Sequence, residues 1–368
     1  MNFDFTLDQE QFRDQIRRFL EKTDGVGEAR KVLDGAASYS TAIWRGLAEL
    51  GVQAIAIPEE YGGLGLGMLE LCVAAEEVGR SLAPIPYLSS VCMCSEAIRL
   101  YGSPEQKARW LPGLADGSLI GTWGTADGDG REGAPVTRWA DGQLTGSKAP
   151  VLDGMIADLM ISTAIDEQGA WVMLLCDLTK PGVNRQPVAT LDPSRPAARI
   201  AFDYAQTELL PGGDLQAWDG LMDHAAVLLA FEQLGGAEAA AAMARGYARD
   251  RIAFNRKIAS FQAVKHKLVD MYTRIEVARS HCYYGAWAIS TDATQTSLAS
   301  AGARCSAIEA FDFAAHESVQ VHGGIGITWE SNCQLFYRRA RLTALILGSR
   351  YEWQNRLVTA LERQHPAA

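Results

Sequence analysis

Arg251-Ile-Ala-Phe-Asn-Arg-Lys-Ile-Ala-Ser-Phe-Gln262 lies within a long helical pattern, and Gln320-Val-His-Gly-Gly-Ile-Gly326 follows it downstream. Arg251, Phe254 and Gln262 supply a cation, an aromatic ring and an amide at offsets of 0, +3 and +11. That spacing predicts one shared side of a continuous helix. In the second stretch Gln320 stands near the adjacent glycines Gly323 and Gly324, whose bare backbone lets N–H groups approach a bulky polar ligand closely.

Around these segments the pattern is helical: 221–254, 260–289, 297–322 and a terminal stretch to about Arg363. Gly235-Gly236 weakens the first helix, which implies close packing against a neighbouring helix. The amino-terminal part, 6 to 118, also reads as helical. Thr6 is positioned to cap with Gln9, Phe12, Ile16, Phe19 and Leu20 recur at helical spacing, and further helices are expected at 41–50, stopped by Gly51, and at 69–80. The glycine-rich connector Pro58-Glu-Glu-Tyr-Gly-Gly-Leu-Gly-Leu-Gly67 lacks the Lys-Ser/Thr of a P-loop and reads as a structural turn.

From Ser118 to about 215 the composition shifts to Gly, Pro and Thr around short apolar runs, Leu159–Thr163, Trp171–Cys176 and Ala198–Phe202. These read as strands of a small antiparallel domain. The expected fold is mainly α with a β insert: a helical domain at 1–117, a β-domain at 118–217 and a carboxy-terminal four-helix bundle at 218–368.

A chain of 368 residues suits two or three domains. The net charge of −10 argues against nucleic acid or an anionic membrane as the main partner, so a polyanionic ligand would need a local basic pocket. Seven cysteines (Cys72, Cys92, Cys94, Cys176, Cys282, Cys305 and Cys333) include no Cys-x-x-Cys pair. They read as reduced, packed thiols, with no metal site. The opening Met-Asn-Phe-Asp-Phe-Thr-Leu-Asp shows no secretory pattern, and no apolar run of about 20 residues is evident. A soluble, cytoplasmic protein without membrane insertion is expected. Trp139, Trp171 and Trp218 read as core residues, and His322 as a packed histidine with no carboxylate or cysteine partner nearby.

The order α-bundle, β-insert, α-bundle resembles the acyl-CoA dehydrogenase family. The similar stretches are Leu7-Asp-Gln-Glu-Gln-Phe12, Ile57-Pro-Glu-Glu-Tyr-Gly-Gly-Leu-Gly65, Gly102-Ser-Pro-Glu-Gln-Lys107 with Leu111-Pro112, Leu144-Thr-Gly-Ser-Lys148, and the two opening segments. The resemblance implies FAD as cofactor, an acyl-CoA substrate and electron-transfer flavoprotein as electron acceptor. It also implies an oligomer, because these segments reach FAD bound mainly by another subunit. Arg251 matches the arginine that meets the pyrophosphate, a task suited to paired guanidinium hydrogen bonds. Phe254 would pack beside the cofactor edge, Gln262 would offer its amide, and Gln320, Gly323 and Gly324 match the loop at the adenine end.

In that family a glutamate removes the proton alpha to the thioester, a step that needs a positioned carboxylate. Neither family address for it carries one here. In Leu345-Ile-Leu-Gly-Ser-Arg350 the glutamate site falls on Gly348, and the alternative site on the preceding helix falls on Ala225. Glu352, Glu232 and His224 are the nearest substitutes, each displaced from the family position. The catalytic residue is therefore not assigned. The run Thr125-Ala-Asp-Gly-Asp-Gly130 keeps little of the family's flavin-ring loop, and Pro150 stands where the ring-facing tryptophan is expected. The leading expectation is the acatalytic chain of an α2β2 enzyme like those of bacterial steroid degradation, completing the FAD site of a homologous partner. A self-sufficient homo-oligomer with a non-standard base and a flavin-free scaffold are the alternatives.

Overall fold

The computed structural model describes residues 5–128 and 136–364. They group into two compact units: 5–29, 68–83 and 226–364 in one; 30–67, 84–128 and 136–225 in the other. The expected strands Leu159–Thr163, Trp171–Cys176 and Ala198–Phe202 all form, in longer elements.

In the first unit, helix α1 (Leu7–Lys22) opens on the expected capping box. Gln9 N donates to Thr6 Oγ1 at 3.3 Å, and Thr6 N donates to Gln9 Oε1 at 2.8 Å. Helix α2 (Gly25–Leu33) and, in the second unit, α3 (Thr41–Glu49) follow, the latter capped by the Ser40 hydroxyl and ended by Gly51 at φ 76°. Helix α4 (Met68–Arg80) returns to the first unit.

The second unit continues with a buried π-helical segment, Tyr87–Ser95, then α5 (Glu96–Tyr101) and α6 (Pro104–Ala115). Its sheet holds β1 (Gly121–Gly124), β2 (Arg138–Ala140), β3 (Gln143–Leu152), β4 (Leu159–Ile165), β5 (Trp171–Asp177), β6 (Val183–Val188) and β7 (Ala197–Leu209). The order is β1-β4-β2-β3-β7-β5, with β6 on β7 and a further pairing of β4 with β5. Pairing is mostly antiparallel, for example Leu159↔Asp177 through Ile165↔Trp171, while β1 lies parallel to β4. Leu144, Val151, Ile161, Met173, Leu174 and Ile200 fill its interior. Trp139, Trp171 and Trp218 are only half-buried, contrary to the core reading. Trp171 and Trp218 face each other with ring centroids 6.0 Å apart, and the fully buried indoles are Trp44 and Trp353.

The chain then enters α7 (Leu215–Asp250), a two-residue hairpin of β8 (Ile252–Ala253) and β9 (Arg256–Lys257), α8 (Gln262–Ser290), α9 (Thr296–His322), α10 (Cys333–Thr343) and α11 (Arg350–Gln364). The expected close packing at Gly235-Gly236 is present. A Cβ on Gly235 would fall 1.9 Å from the Glu76 carbonyl oxygen, and one on Gly79 would fall 1.8 Å from that of Glu232. Helices α4 and α7 therefore cross backbone to backbone. Beside the crossing, buried Glu76 and Glu77 are held by arginines; Arg17 grips Glu77 through bonds of 2.9 and 2.6 Å. Helix α7 is long and apolar enough to cross a membrane by length and composition, a looser measure than the unbroken run sought in the sequence. However, 72% of its apolar window is buried inside the protein.

Candidate functional site: the edge at the ends of α7 and α9

The structure corrects the continuous helix expected through Phe254. Helix α7 stops at Asp250, and the chain folds into a hairpin pairing Ile252 with Lys257 and Ala253 with Arg256. Phe254 and Asn255 occupy its turn at φ 51° and 61°, as a tight primed hairpin turn requires. Arg251 N donates to Tyr247 O at 2.8 Å, its carbonyl accepts from Ile258 N at 2.9 Å, and Lys257 Nζ caps Asp250 O at 2.9 Å. Arg251, Phe254 and Gln262 thus share an exposed turn and the first residue of α8, not a helix face. Asn suits left-handed backbone, but a bulky aromatic rarely adopts it. Phe254 is held there with 90% of its surface exposed.

Helix α9 ends at His322, and Gly323 turns the chain at φ 63° into a 3-10 turn, Gly323–Ile327. A Cβ on Gly323 or Gly324 would meet nothing within 4 Å, so the backbone there borders open space. Gln320, Gly323 and Gly324 are exposed. The two segments are tied together: the Tyr247 and His322 rings stack with centroids 4.3 Å apart. His322 Nδ1 lies 2.7 Å from Ser318 O, so that nitrogen donates.

His322 also has a cysteine partner, contrary to the sequence reading. Its ring hydrogen-bonds Cys333, the first residue of α10, whose Sγ is 3.5 Å from Met243 Sδ. Burial opposes charge on both groups, but their contact together with bonds from Ser318 and Ser331 outweighs it: the imidazole is held above its ordinary pKa and the thiol below. Separation across a loop onto another helix hid this pair from local sequence spacing.

In the β-domain, part of the run matched to the family's flavin-ring loop is engaged by a lysine. Buried Lys148 Nζ donates to Thr125 O at 3.0 Å, Asp127 Oδ1 at 2.6 Å and Thr163 Oγ1 at 3.3 Å. Burial lowers the Lys148 pKa and Asp127 opposes it only in part. Burial likewise pushes Asp127 up, but Lys148 and Thr137 hold its carboxyl below the ordinary range. Residues 129 and 130 of that run lie outside the described residues.

The substitute bases are occupied. Glu352 accepts from Ser349 N at 2.6 Å and Ser349 Oγ at 2.8 Å, capping α11. Glu232 is buried 3.7 Å from Arg339. Gly348 sits at φ 95°, where a side chain is strained, and Ala225 is buried within α7. Half-buried His224 lies 3.8 Å from the buried Glu96 carboxylate, which Arg99 grips through two bonds of 2.7 Å. Burial raises the Glu96 pKa, yet Arg99 and His224 hold it below the ordinary value.

Exposed Arg251 and Phe254 and the open Gly323-Gly324 backbone, on segments joined by the Tyr247–His322 stack, are groups that could meet the diphosphate end of a dinucleotide. Residues 6–118 match the acyl-CoA dehydrogenase N-terminal domain, and residues 215–359 match the acyl-CoA dehydrogenase C-terminal domain. Acyl-CoA dehydrogenase IpdE2 of Mycobacterium tuberculosis is 32% identical over 95% of this chain and 96% of its own length. The chain belongs to the acyl-CoA dehydrogenase family. Such enzymes are FAD-dependent oxidoreductases acting on acyl-CoA thioesters. Among solved structures, a chain of the ChsE4-ChsE5 complex from Mycobacterium tuberculosis matches with TM-score 0.91 and 27% identity, covering 100% of both chains. A variant of the Tcur3481-Tcur3483 steroid acyl-CoA dehydrogenase matches with TM-score 0.88 and 27% identity over 98% of this chain and 99% of the other. One of these similar structures is thus itself a complex, of ChsE4 with ChsE5.

Proposed function

We propose that this acyl-CoA dehydrogenase is the acatalytic chain of a heteromeric, α2β2 enzyme. It lends Arg251, Phe254, Gln262, Gln320, Gly323 and Gly324 to FAD held mainly by a homologous partner. One observation carries the reading: the nucleotide edge is open and outward while neither base address bears a carboxylate. Glu232 and Glu352 are committed to Arg339 and to the α11 cap. Exposed Ile252, Phe254, Ile327 and Trp329 in the same segments leave apolar surface that this chain does not itself cover.

In this arrangement the Arg251 guanidinium neutralises the pyrophosphate, the Gly323-Gly324 backbone approaches the nucleotide, and the two glutamines offer amide bonds. When bound there, FAD would supply the hydride acceptor for the substrate's beta carbon. The partner supplies the base for the alpha proton, electron-transfer flavoprotein takes the electrons, and the enzyme works in the cytoplasm. A steroid-derived or similarly bulky acyl-CoA is the proposed substrate class, supported by the steroid enzyme among the similar structures. The division at 1–117, 118–217 and 218–368 remains our proposal.

Co-expression with a related chain that carries the base tests this. Arg251→Ala in the complex is expected to weaken FAD retention about tenfold or more, the scale of a lost charged hydrogen bond. Unchanged flavin content would favour the flavin-free scaffold. A self-sufficient enzyme is the second reading, and His224 beside Glu96 is then the group available to act as base. It predicts turnover by the lone chain that is abolished by His224→Gln, whereas Glu232→Gln and Glu352→Gln retain it.

A further inference from the structure

The hairpin after α7 carries positive charge that its own chain leaves unneutralised. Arg251 and Arg256 are both exposed, and neither guanidinium has a carboxylate partner among the described residues. Asp250, the acid next to them in sequence, faces Arg249 at 3.5 Å instead.

The ladder puts the two arginines on one side. Ala253 pairs with Arg256 and Ile252 with Lys257, and Ile258 N donates to Arg251 O at 2.9 Å, continuing the same register. Side chains alternate along a strand, so Arg251, Ala253 and Arg256 share one face of the ribbon, and Ile252 and Lys257 share the other. Arg251 and Arg256 are then diagonal neighbours, and like charges in that relation repel.

Arg256 is nevertheless held in place. Its guanidinium carbon lies 3.9 Å from the centroid of the Phe261 ring, a cation–π contact. The Phe254 ring meets Phe261 in a T-shaped pair, with centroids 6.1 Å apart and planes at 83°. Phe261 N donates to Ile258 O at 3.1 Å, which ties the ring's backbone to the base of the hairpin. One ring thus braces both the arginine and the left-handed Phe254 of a hairpin too short to be stable alone. A carboxylate would also hold Arg256, but it would cancel the charge. An aromatic ring orients the guanidinium and leaves its charge available to an anion.

We propose that Arg256 is a second phosphate-binding residue, sharing a face of the hairpin with Arg251, and that Phe261 is the residue that positions it. The inference rests on the nucleotide reading above and adds a cation to that site. A diphosphate carries two negative charges, and it would draw together two guanidiniums that otherwise repel.

The test measures FAD dissociation from the complex with a base-bearing relative, by flavin fluorescence, at low salt and at about 0.5 M salt. Arg256→Gln is expected to weaken FAD binding about fivefold at low salt. That loss should shrink at high salt, because screening removes a charge effect and spares a packing effect. Phe261→Leu should show the same salt-sensitive loss, and Phe261→Tyr, which keeps the ring face, should retain binding. Arg251→Ala separates this inference from the reading beneath it. If Arg251→Ala weakens FAD and Arg256→Gln does not, only the second cation is overturned; if neither does, the nucleotide reading falls as well. A loss in Arg256→Gln that is equal at both salt concentrations also overturns the proposal, as does a Phe261→Tyr variant as weak as Phe261→Leu.

Discussion

Gly235 is fixed by contact, not by backbone angle: a Cβ there meets the Glu76 carbonyl at 1.9 Å. Alanine would gain about 1 kcal/mol of helix propensity. Forcing α4 from α7 costs about 1–3 kcal/mol, and backbone cannot step aside as a flexible side chain would. Gly235→Ala is therefore expected to lower stability by up to about 2 kcal/mol in urea unfolding; a stabilised variant would contradict the crossing. Gly348 is a conformational case at φ 95°. Restoring a carboxylate by Gly348→Glu should cost about 1–3 kcal/mol in strain, read as a lowered thermal midpoint, and an unchanged midpoint would show the turn to be permissive. The glycine pair at 235 and 236 was legible as a packing signal because its helix-propensity penalty needs an offset. The need for glycine at 79 was not, since only its partner helix creates it.

Among the elements, helix α5 makes the clearest acid-sensitive contact. Glu96 and Arg99 lie one turn apart on it, and the carboxyl is buried. Its folded pKa lies below the ordinary value, so its stabilisation is complete above the unfolded carboxylate range, about pH 4.3, and is lost as pH falls through the lower folded value. Arg99→Met removes the main cation and leaves burial to dominate. Stability near neutral pH should drop by about 3–5 kcal/mol, and the acid-unfolding midpoint should move to higher pH. A midpoint unmoved by the substitution would exclude this linkage. Helix ends were well legible: Thr6, Gln9 and Gly51 act where their chemistry predicts. The hairpin after α7 was not, because Phe254-Asn255 lacks the Asn-Gly signature of its turn and helical periodicity runs on through it. The Cys333–His322 pair depends on the junction of α9 with α10, and no local window contains both.

At the scale of the whole molecule, the chain order of helices, strands and helices was readable because periodicity changes near Ser118 and again near Trp218. For the candidate site, the hairpin that carries Arg251 and Phe254 was not readable. What no single chain encodes is the other half of a shared site. Phe254, Ile327 and Trp329 are exposed, and the proposed assembly is what would cover them. The most direct measurement is bound flavin and acyl-CoA desaturation, for this protein alone and paired with a base-bearing relative. We expect no activity and no stoichiometric flavin alone, and an active complex with one FAD per pair of unlike chains. Full flavin occupancy with turnover by the lone chain would contradict the account.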